Sequence, residues 1–352
     1  MHEKMREAML YEKLTGKNEG KVLCRLCKRY CVIEDRKMGF CLVRRNERGK
    51  LYSLNYGKST GFAADPIEKK PFFHFKPGTR VLSFGTPGCN FRCLNCQNWQ
   101  LSQGVREGGT GALEIPTTLP KKVVDLAVNH KCEGIAYTYS EPTIFFEYAY
   151  DCIKEARKRN AELFHVFVSN GYFSQEMLDL VEKEGLLDAI RIDLKFINDE
   201  KYREITGAHL LPVQQNIERV YKLKGKVHLE VIALLIPTLN DSDEDIRKLA
   251  RFVAGVGKDI PLHFSAFHPY YKLSHLPATP DRTLRKAKRI AEEEGMQYVY
   301  LGNTRMAGVE NTHCPKCKKM LIERYGFEVL KNEFENDKPV CPECGGRINI
   351  VL

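Results

Sequence analysis

Three cysteines stand within eight residues of "GCNFRCLNCQNW", at Cys89, Cys93 and Cys96. Thiolates bind zinc and iron-sulfur clusters, and closed sites take four of them. Three thiolates on a 4Fe-4S cube leave one iron without a protein ligand, a vacancy where a small molecule can coordinate. The same logic separates a catalytic zinc, with one open position, from a structural one. A partial zinc site borrowing a ligand from elsewhere, or three unconnected thiols, are the plainer alternatives. Two further groups, Cys24, Cys27, Cys31 and Cys41, and Cys314, Cys317, Cys341 and Cys344, each supply a full set of four. Cys132 and Cys152 complete the 13, and their flanks, "NHKCEG" and "YDCIKE", offer no second ligand, so both read as buried hydrophobes.

Clustered thiols point to metal rather than disulfides when the chain sits in a reducing compartment. No positively charged start leads into an apolar h-region, and no stretch approaches the roughly 18 uninterrupted apolar residues of a membrane span, so the chain reads as cytoplasmic. Its 352 residues, 43% hydrophobic, are enough for one large domain with appended modules and a substantial core. Basic residues exceed acidic ones by 55 − 45 = 10. They are spread along the whole chain, which is a weak footprint for nucleic acid.

The elements that must position the thiols alternate. Short β-branched or aromatic runs at 80–85, 134–139, 163–169, 189–195, 227–235, 261–267 and 297–301 predict strands. Apolar residues at helical spacing over 142–160, 174–185, 241–256 and 279–295 predict helices between them. Such alternation makes a parallel α/β sheet, either a complete or partial barrel or an open doubly wound sheet, and ligands bind at the strand ends. Cys89, Cys93 and Cys96 follow the first of these strands directly, hence lie on a loop at its C-terminal end. The Gly-rich "REGGTGALEIP" (106–116) reads as a lid or an ordinary loop.

The C-x3-C-x2-C after the first strand, with the aromatic Phe91 two residues before Cys93, resembles the signature of radical S-adenosylmethionine (SAM) enzymes. That resemblance implies a partial (β/α)6 TIM-like barrel. It also implies a 4Fe-4S cluster whose open iron is chelated by the amino and carboxylate groups of SAM, and reductive cleavage of SAM to a hydrogen-abstracting 5'-deoxyadenosyl radical. The cofactors carry that chemistry while the protein positions them. "YSEPT" (139–143) is similar to the Gly-Gly-Glu-Pro segment that meets the SAM amino group in relatives of pyruvate formate-lyase activating enzyme, with Tyr139 and Ser140 in place of the glycines and Glu141 retained. "SNG" (169–171) resembles a ribose-contacting Thr-Asn-Gly, implicating Ser169 and Asn170. "DLK" (193–195) resembles a tripeptide that those enzymes carry near SAM and substrate, which implicates Asp193 and Lys195, and His268 stands where they carry a SAM-contacting histidine, with His263 inside the strand. Each has a bland counterpart: Glu141-Pro142 starts a helix, Asn170-Gly171 makes a turn, and Asp193 pairs with Lys195 on one face of a strand.

Longer segments, "DPIEKKPFFHFKPGT", "GCNFRCLNCQNWQLSQ", "YSEPTIFFEY", "FHPYYK" and "ENTHCPKC", are similar to the radical SAM member of the AmmeMemoRadiSam three-gene set. The expected division is therefore an N-terminal segment with a four-cysteine metal site (1–78), the barrel (79–308) and a C-terminal four-cysteine module (309–352). "CPKC" and "CPEC" form two knuckles of a zinc ribbon or a rubredoxin-like iron site. Zinc would staple a module too small for its own core. The compressed "CRLCKRYC" with Cys41 beyond it is closer to iron-sulfur loops, making an auxiliary 4Fe-4S cluster or a structural zinc the alternatives. The partners implied are an electron donor such as ferredoxin or flavodoxin and the AmmeMemo system proteins. The substrate is either a small molecule, lipid or peptide modified directly, or a protein given a glycyl radical. A nucleic-acid-binding or modifying role, resting on "KCKKMLIERYGF", is the reading from another class.

Overall fold

The computed structural model describes residues 5–159, 161–334 and 338–352. Two compact units are present, Met1–Ala64 with Val81–Asp188, and Asp65–Arg80 with Ala189–Leu352.

In the first unit β1 (Arg80–Gly85), β2 (Gly134–Tyr137) and β3 (Phe164–Ser169) run parallel with β2 central. Every residue of β2 is buried, as expected for a parallel strand covered on both faces. Phe164 sits opposite Gly134, and a Cβ at Gly134 would lie 2.2 Å from the Phe164 ring, so only glycine fits this register. Helices α1 (Pro120–Asn129), α2 (Phe146–Lys158) and α3 (Gln175–Glu184) supply the crossovers. Residue 160, the expected end of the 142–160 helix, lies outside the described residues, as do 1–4 of the N-terminal segment and 335–337 of the C-terminal module. Ser174 caps α3 by accepting from the Met177 N–H at 3.0 Å, and Gly185 ends it in the left-handed conformation at φ +57°. Of residues 106–116, the stretch through Leu113 folds into helical turns, the last a 3-10 turn at Gly109–Leu113, and 114–116 form a loop.

The N-terminal segment is β-rich. Tyr11–Lys13, Val22–Cys24 and Val32–Ile33 form one antiparallel sheet, and Arg44–Glu47 pairs with Lys50–Ser53 in a hairpin. Its two-residue turn, Arg48-Gly49, has φ of +54° and +75°, the conformation that matches strand twist and favours glycine. Asn46, wholly buried, donates to the carbonyls of Gly20 and Ile33 at 2.8 Å each and ties sheet to hairpin.

In the second unit β4 (Ala189–Asp193), β5 (His228–Leu235), β6 (Leu262–Ala266) and β7 (Val299–Gly302) also run parallel in sequence order. α4 (Asp199–Thr206), α5 (Leu210–Lys222), α6 (Asp243–Val256) and α7 (Asp281–Glu293) connect them. Ser242 caps α6, whose first turn carries Asp243, Glu244 and Asp245 against the positive end of the helix. β8 (Thr312–His313), β9 (Met320–Tyr325) and β10 (Glu328–Asn332) make a small antiparallel sheet. Its buried Leu321 and Ile322, with Ile348 and Ile350 from the segment after it, share one core with Phe73, Tyr298 and Tyr300. Among the described residues no helix is long and apolar enough to cross a membrane.

Glu230 on β5 organises this unit. Its carboxylate accepts from the N–H groups of Phe73 and His74 at 2.7 to 3.0 Å and meets His263 Nε2 at 2.6 Å and His228 Nε2 at 3.2 Å. Burial alone would raise its pKa, but the two histidine contacts outweigh burial and hold the group well below the ordinary carboxylate range. Replacing Glu230 by alanine leaves several buried donors unpaired and should cost about 3–5 kcal/mol in a denaturant melt. Because the folded pKa is depressed, this stabilisation is complete above the unfolded value of about 4.3 and fades as pH falls below it. The acid limb of a Tm-against-pH profile should therefore flatten in Glu230→Gln.

Candidate functional site

The loop after β1 is fixed before any ligand arrives. A Cβ at Gly85 would lie 2.7 Å from the Thr138 carbonyl, and Gly88, at φ +98°, would clash with Val43 at 2.6 Å. Asn55, fully buried, donates to Thr86 Oγ1 at 2.9 Å and the Pro87 carbonyl at 3.1 Å, while Ser140 Oγ donates to the Thr86 carbonyl at 2.7 Å. Cys89, Cys93 and Cys96 follow on this pinned turn. Cys89 Sγ accepts from the Phe91 N–H at 3.3 Å and faces Asn170 Nδ2 at 4.0 Å, and Cys96 Sγ meets Ser102 Oγ at 3.1 Å. Phe91 is buried edge-on against Tyr172, with ring centroids 5.1 Å apart, and Gln103 holds its carbonyl at 3.1 Å. Burial, then the charge of Glu141, push the Cys89 thiol well above its ordinary pKa. A thiolate here requires a cation to offset it, and N–H donors to sulfur are what iron-sulfur ligands use. The donor set fits a cluster.

Glu141 ties two strand ends together. It is 2% exposed; Oε1 accepts from the Thr143 N–H at 3.0 Å, Thr143 Oγ1 at 2.6 Å and Ser169 Oγ at 2.8 Å, and Oε2 accepts from the Asn170 N–H at 2.7 Å. It thereby caps the 3-10 turn begun by Pro142, the bland reading made real. Burial raises its pKa despite these donors. Asn170 accepts from the Tyr172 N–H at 3.0 Å, closing the expected turn at Gly171 (φ +71°), and donates to Asn90 Oδ1 at 2.7 Å. Tyr139, in place of a glycine, still adopts φ +63°, a conformation that costs a non-glycine residue and persists only where neighbours impose it.

The remaining expected residues lie in the second unit. Asp193, at the end of β4, pairs with Lys195 Nζ at 2.7 Å and with Arg191 at 2.7 Å. Burial works against its charge, but those two cations outweigh it and lower its pKa. His268 is exposed, with Nε2 3.2 Å from the Asn303 carbonyl, whereas His263 is buried on β6 against Glu230.

The two four-cysteine groups differ in geometry. At the C-terminus all four sulfurs lie within 4.8 Å of one another, with Cys314 to Cys344 and Cys317 to Cys341 both 3.6 Å. A tetrahedral ion with metal-sulfur bonds of ~2.3 Å sets sulfurs about 3.8 Å apart, so these four are spaced for a single ion. Cys24, Cys27, Cys31 and Cys41 instead line a cavity together with Arg44 and Asn90. Cys132 and Cys152 are buried as expected. Sequence reasoning missed Asn55, Asn90 and Gln103, whose only signal was an amide side chain beside a Gly/Pro turn or a cysteine.

The profile of the Radical SAM superfamily matches residues 84–253, the stretch that carries the three-thiol loop, Glu141 and Asn170. Residues 84–253 make a Radical SAM domain. An uncharacterized protein of Methanocaldococcus jannaschii is 43% identical over 351 residues, 99% of this chain and all of that one. The pyruvate formate-lyase-activating enzyme of Clostridium pasteurianum is 23% identical over 62% of this chain and 92% of its own length. A probable GTP 3',8-cyclase of Methanococcus vannielii is 27% identical over 62% of this chain and 72% of its own. A Radical SAM domain implies a 4Fe-4S cluster and SAM, and Cys89, Cys93 and Cys96 are the residues within it that would hold the cluster. In Glu141→Gln an amide N–H₂ must face hydrogen-bond donors. This variant should lose about 1–3 kcal/mol of stability and bind SAM more weakly in equilibrium dialysis, while retaining its triad iron.

Proposed function

We propose that this radical SAM protein abstracts hydrogen from a substrate that it functionalises directly, by C-H modification or C-C coupling. The observation that carries the reading is the three-thiol loop, with Cys93 buried, Cys89 and Cys96 half-buried, and Cys89 already accepting a hydrogen bond from the Phe91 N–H. When bound, the cluster and SAM supply a 5'-deoxyadenosyl radical. The chain's own part is positional. Cys89, Cys93 and Cys96 would hold three irons of the cluster; Glu141 fixes the ends of β2 and β3 and is assigned the SAM amino group; Phe91, Ser140, Ser169 and Asn170 are assigned the rest of SAM. Asp193, Lys195 and His268 are assigned contacts to SAM or substrate on the strength of the family resemblance alone.

By chemistry the chain divides into 1–78, the barrel at 79–308, and a C-terminal module at 309–352 that holds structural zinc, a reading supported by its 3.6 Å sulfur spacing. A ferredoxin or flavodoxin in the cytoplasm supplies electrons, and the AmmeMemo system proteins are the proposed partners. The relatedness to activating enzymes favours a second reading, a glycyl radical installed on a partner protein. An activase needs only one electron per event, so additional metal centres support direct turnover over activation.

Anaerobically reconstituted protein with SAM and reductant should release 5'-deoxyadenosine, and Cys93→Ala should abolish it; persistent release would remove the triad from the mechanism. Comparing metabolites of a deletion strain with its parent separates the two readings. A missing small product supports direct turnover, and loss of a partner's glycyl-radical signal in electron paramagnetic resonance supports activation.

A further inference from the structure

The N-terminal cysteines are built into the triad loop rather than set apart from it. The Lys28 N–H donates to the Tyr172 carbonyl at 2.9 Å, the Ser174 N–H donates to the Leu26 carbonyl at 3.1 Å, and Cys27 bridges Phe173. This stitches the Cys24–Cys31 turn to the segment just after Asn170. Arg29 donates through Nε and Nη2 to the Asn90 carbonyl at 3.1 and 3.0 Å. A Cβ on Gly88, the residue before Cys89, would lie 3.2 Å from the Cys41 carbonyl.

The cavity lined by Cys24, Cys27, Cys31 and Cys41 also holds donors with nothing to donate to. Arg44 is 1% exposed; Nη2 pairs with Glu147, but Nε and Nη1 meet no acceptor among the described residues. Asn90 is fully buried, and its Nδ2 is likewise unmet. Three buried N–H groups without acceptors are costly unless an anionic centre receives them. Zinc offers only its four thiolates as acceptors and would draw them as close as the C-terminal four. A cube spreads its thiolates over four irons and adds sulfides that accept N–H groups.

We propose that Cys24, Cys27, Cys31 and Cys41 hold a second 4Fe-4S cluster, closed by four thiolates, whose sulfurs accept hydrogen bonds from Arg44 and Asn90. With no open iron it works by outer-sphere transfer. The reduced cluster loses one electron, the triad cluster gains that electron, and a low-potential one-electron donor of the ferredoxin or flavodoxin class reloads it. Only the destination of the electron rests on the radical SAM reading of the triad; the site itself does not.

The test starts from the full-length Cys89→Ala/Cys93→Ala/Cys96→Ala variant, reconstituted anaerobically. About four irons and four sulfides with a cubane Mössbauer spectrum are expected; one zinc and no sulfide at this site overturns the proposal. In that background Arg44→Gln paired with Glu147→Gln removes a buried cation and its partner while retaining a side chain of similar length. Losing N–H donors and positive charge beside the sulfurs should lower the midpoint potential, and an unchanged potential removes Arg44 from the site. In the chain with its triad intact, Cys24→Ala/Cys27→Ala should keep about four irons and lose at least tenfold in 5'-deoxyadenosine release driven by a ferredoxin-class donor. An unchanged rate overturns the relay.

Discussion

Burying a thiol makes it harder to ionise, and the first unit is arranged around that cost. Cys24, Cys27, Cys41 and Cys89 are all pushed up by desolvation, so their anionic form depends on a bound cation and on nearby donors. Much of the surrounding polar structure reads as provision of those donors. The Phe91 N–H and Asn170 Nδ2 face one sulfur, Arg44 and Asn90 line the neighbouring cavity, and Glu141 holds Asn170 in place from behind. Loops normally carry function on a rigid scaffold; here the scaffold reaches into the loops through buried amides and carboxylates.

How much of this was legible in the sequence depends on the range of the interaction. Strands β1 to β7 were visible because continuous apolar runs are local, and their observed limits differ from the expected ones by two residues or fewer. β2 stops at Tyr137 rather than 139 because Tyr139 turns left-handed, a backbone state no pattern of apolar residues encodes. Helices α1, α4 and α5 and the N-terminal sheets escaped notice. α4 has only eight residues and follows soon after β4, and the N-terminal strands are two to four residues long, too short for periodicity to register. The three cysteine groups were legible outright, since spacing is a sequence property. The Arg44–Glu147 pair, 103 residues apart, and the donors gathered on Glu230 from 157 residues away were not.

The functional and bland readings of single residues need not exclude each other. Glu141 starts a 3-10 turn and also ties two strand ends; Asn170 makes a turn and also faces a cysteine sulfur; Asp193 pairs with Lys195 at a strand end. A residue engaged in such local bonds is already oriented, so any ligand it meets would spend less entropy on ordering it.

The small sheet at the C-terminus shares its core with Phe73, Tyr298 and Tyr300, so it lacks a hydrophobic interior of its own. Arg324 strengthens the union by donating to the Phe73 carbonyl at 2.7 Å and lying over the Phe73 ring. Thermodynamically that sheet and the β7 region then melt as one cooperative foldon rather than as beads on a string. A metal ion bound by its four cysteines would contribute binding free energy to that whole block and so act as a fastener for strands laid down before it.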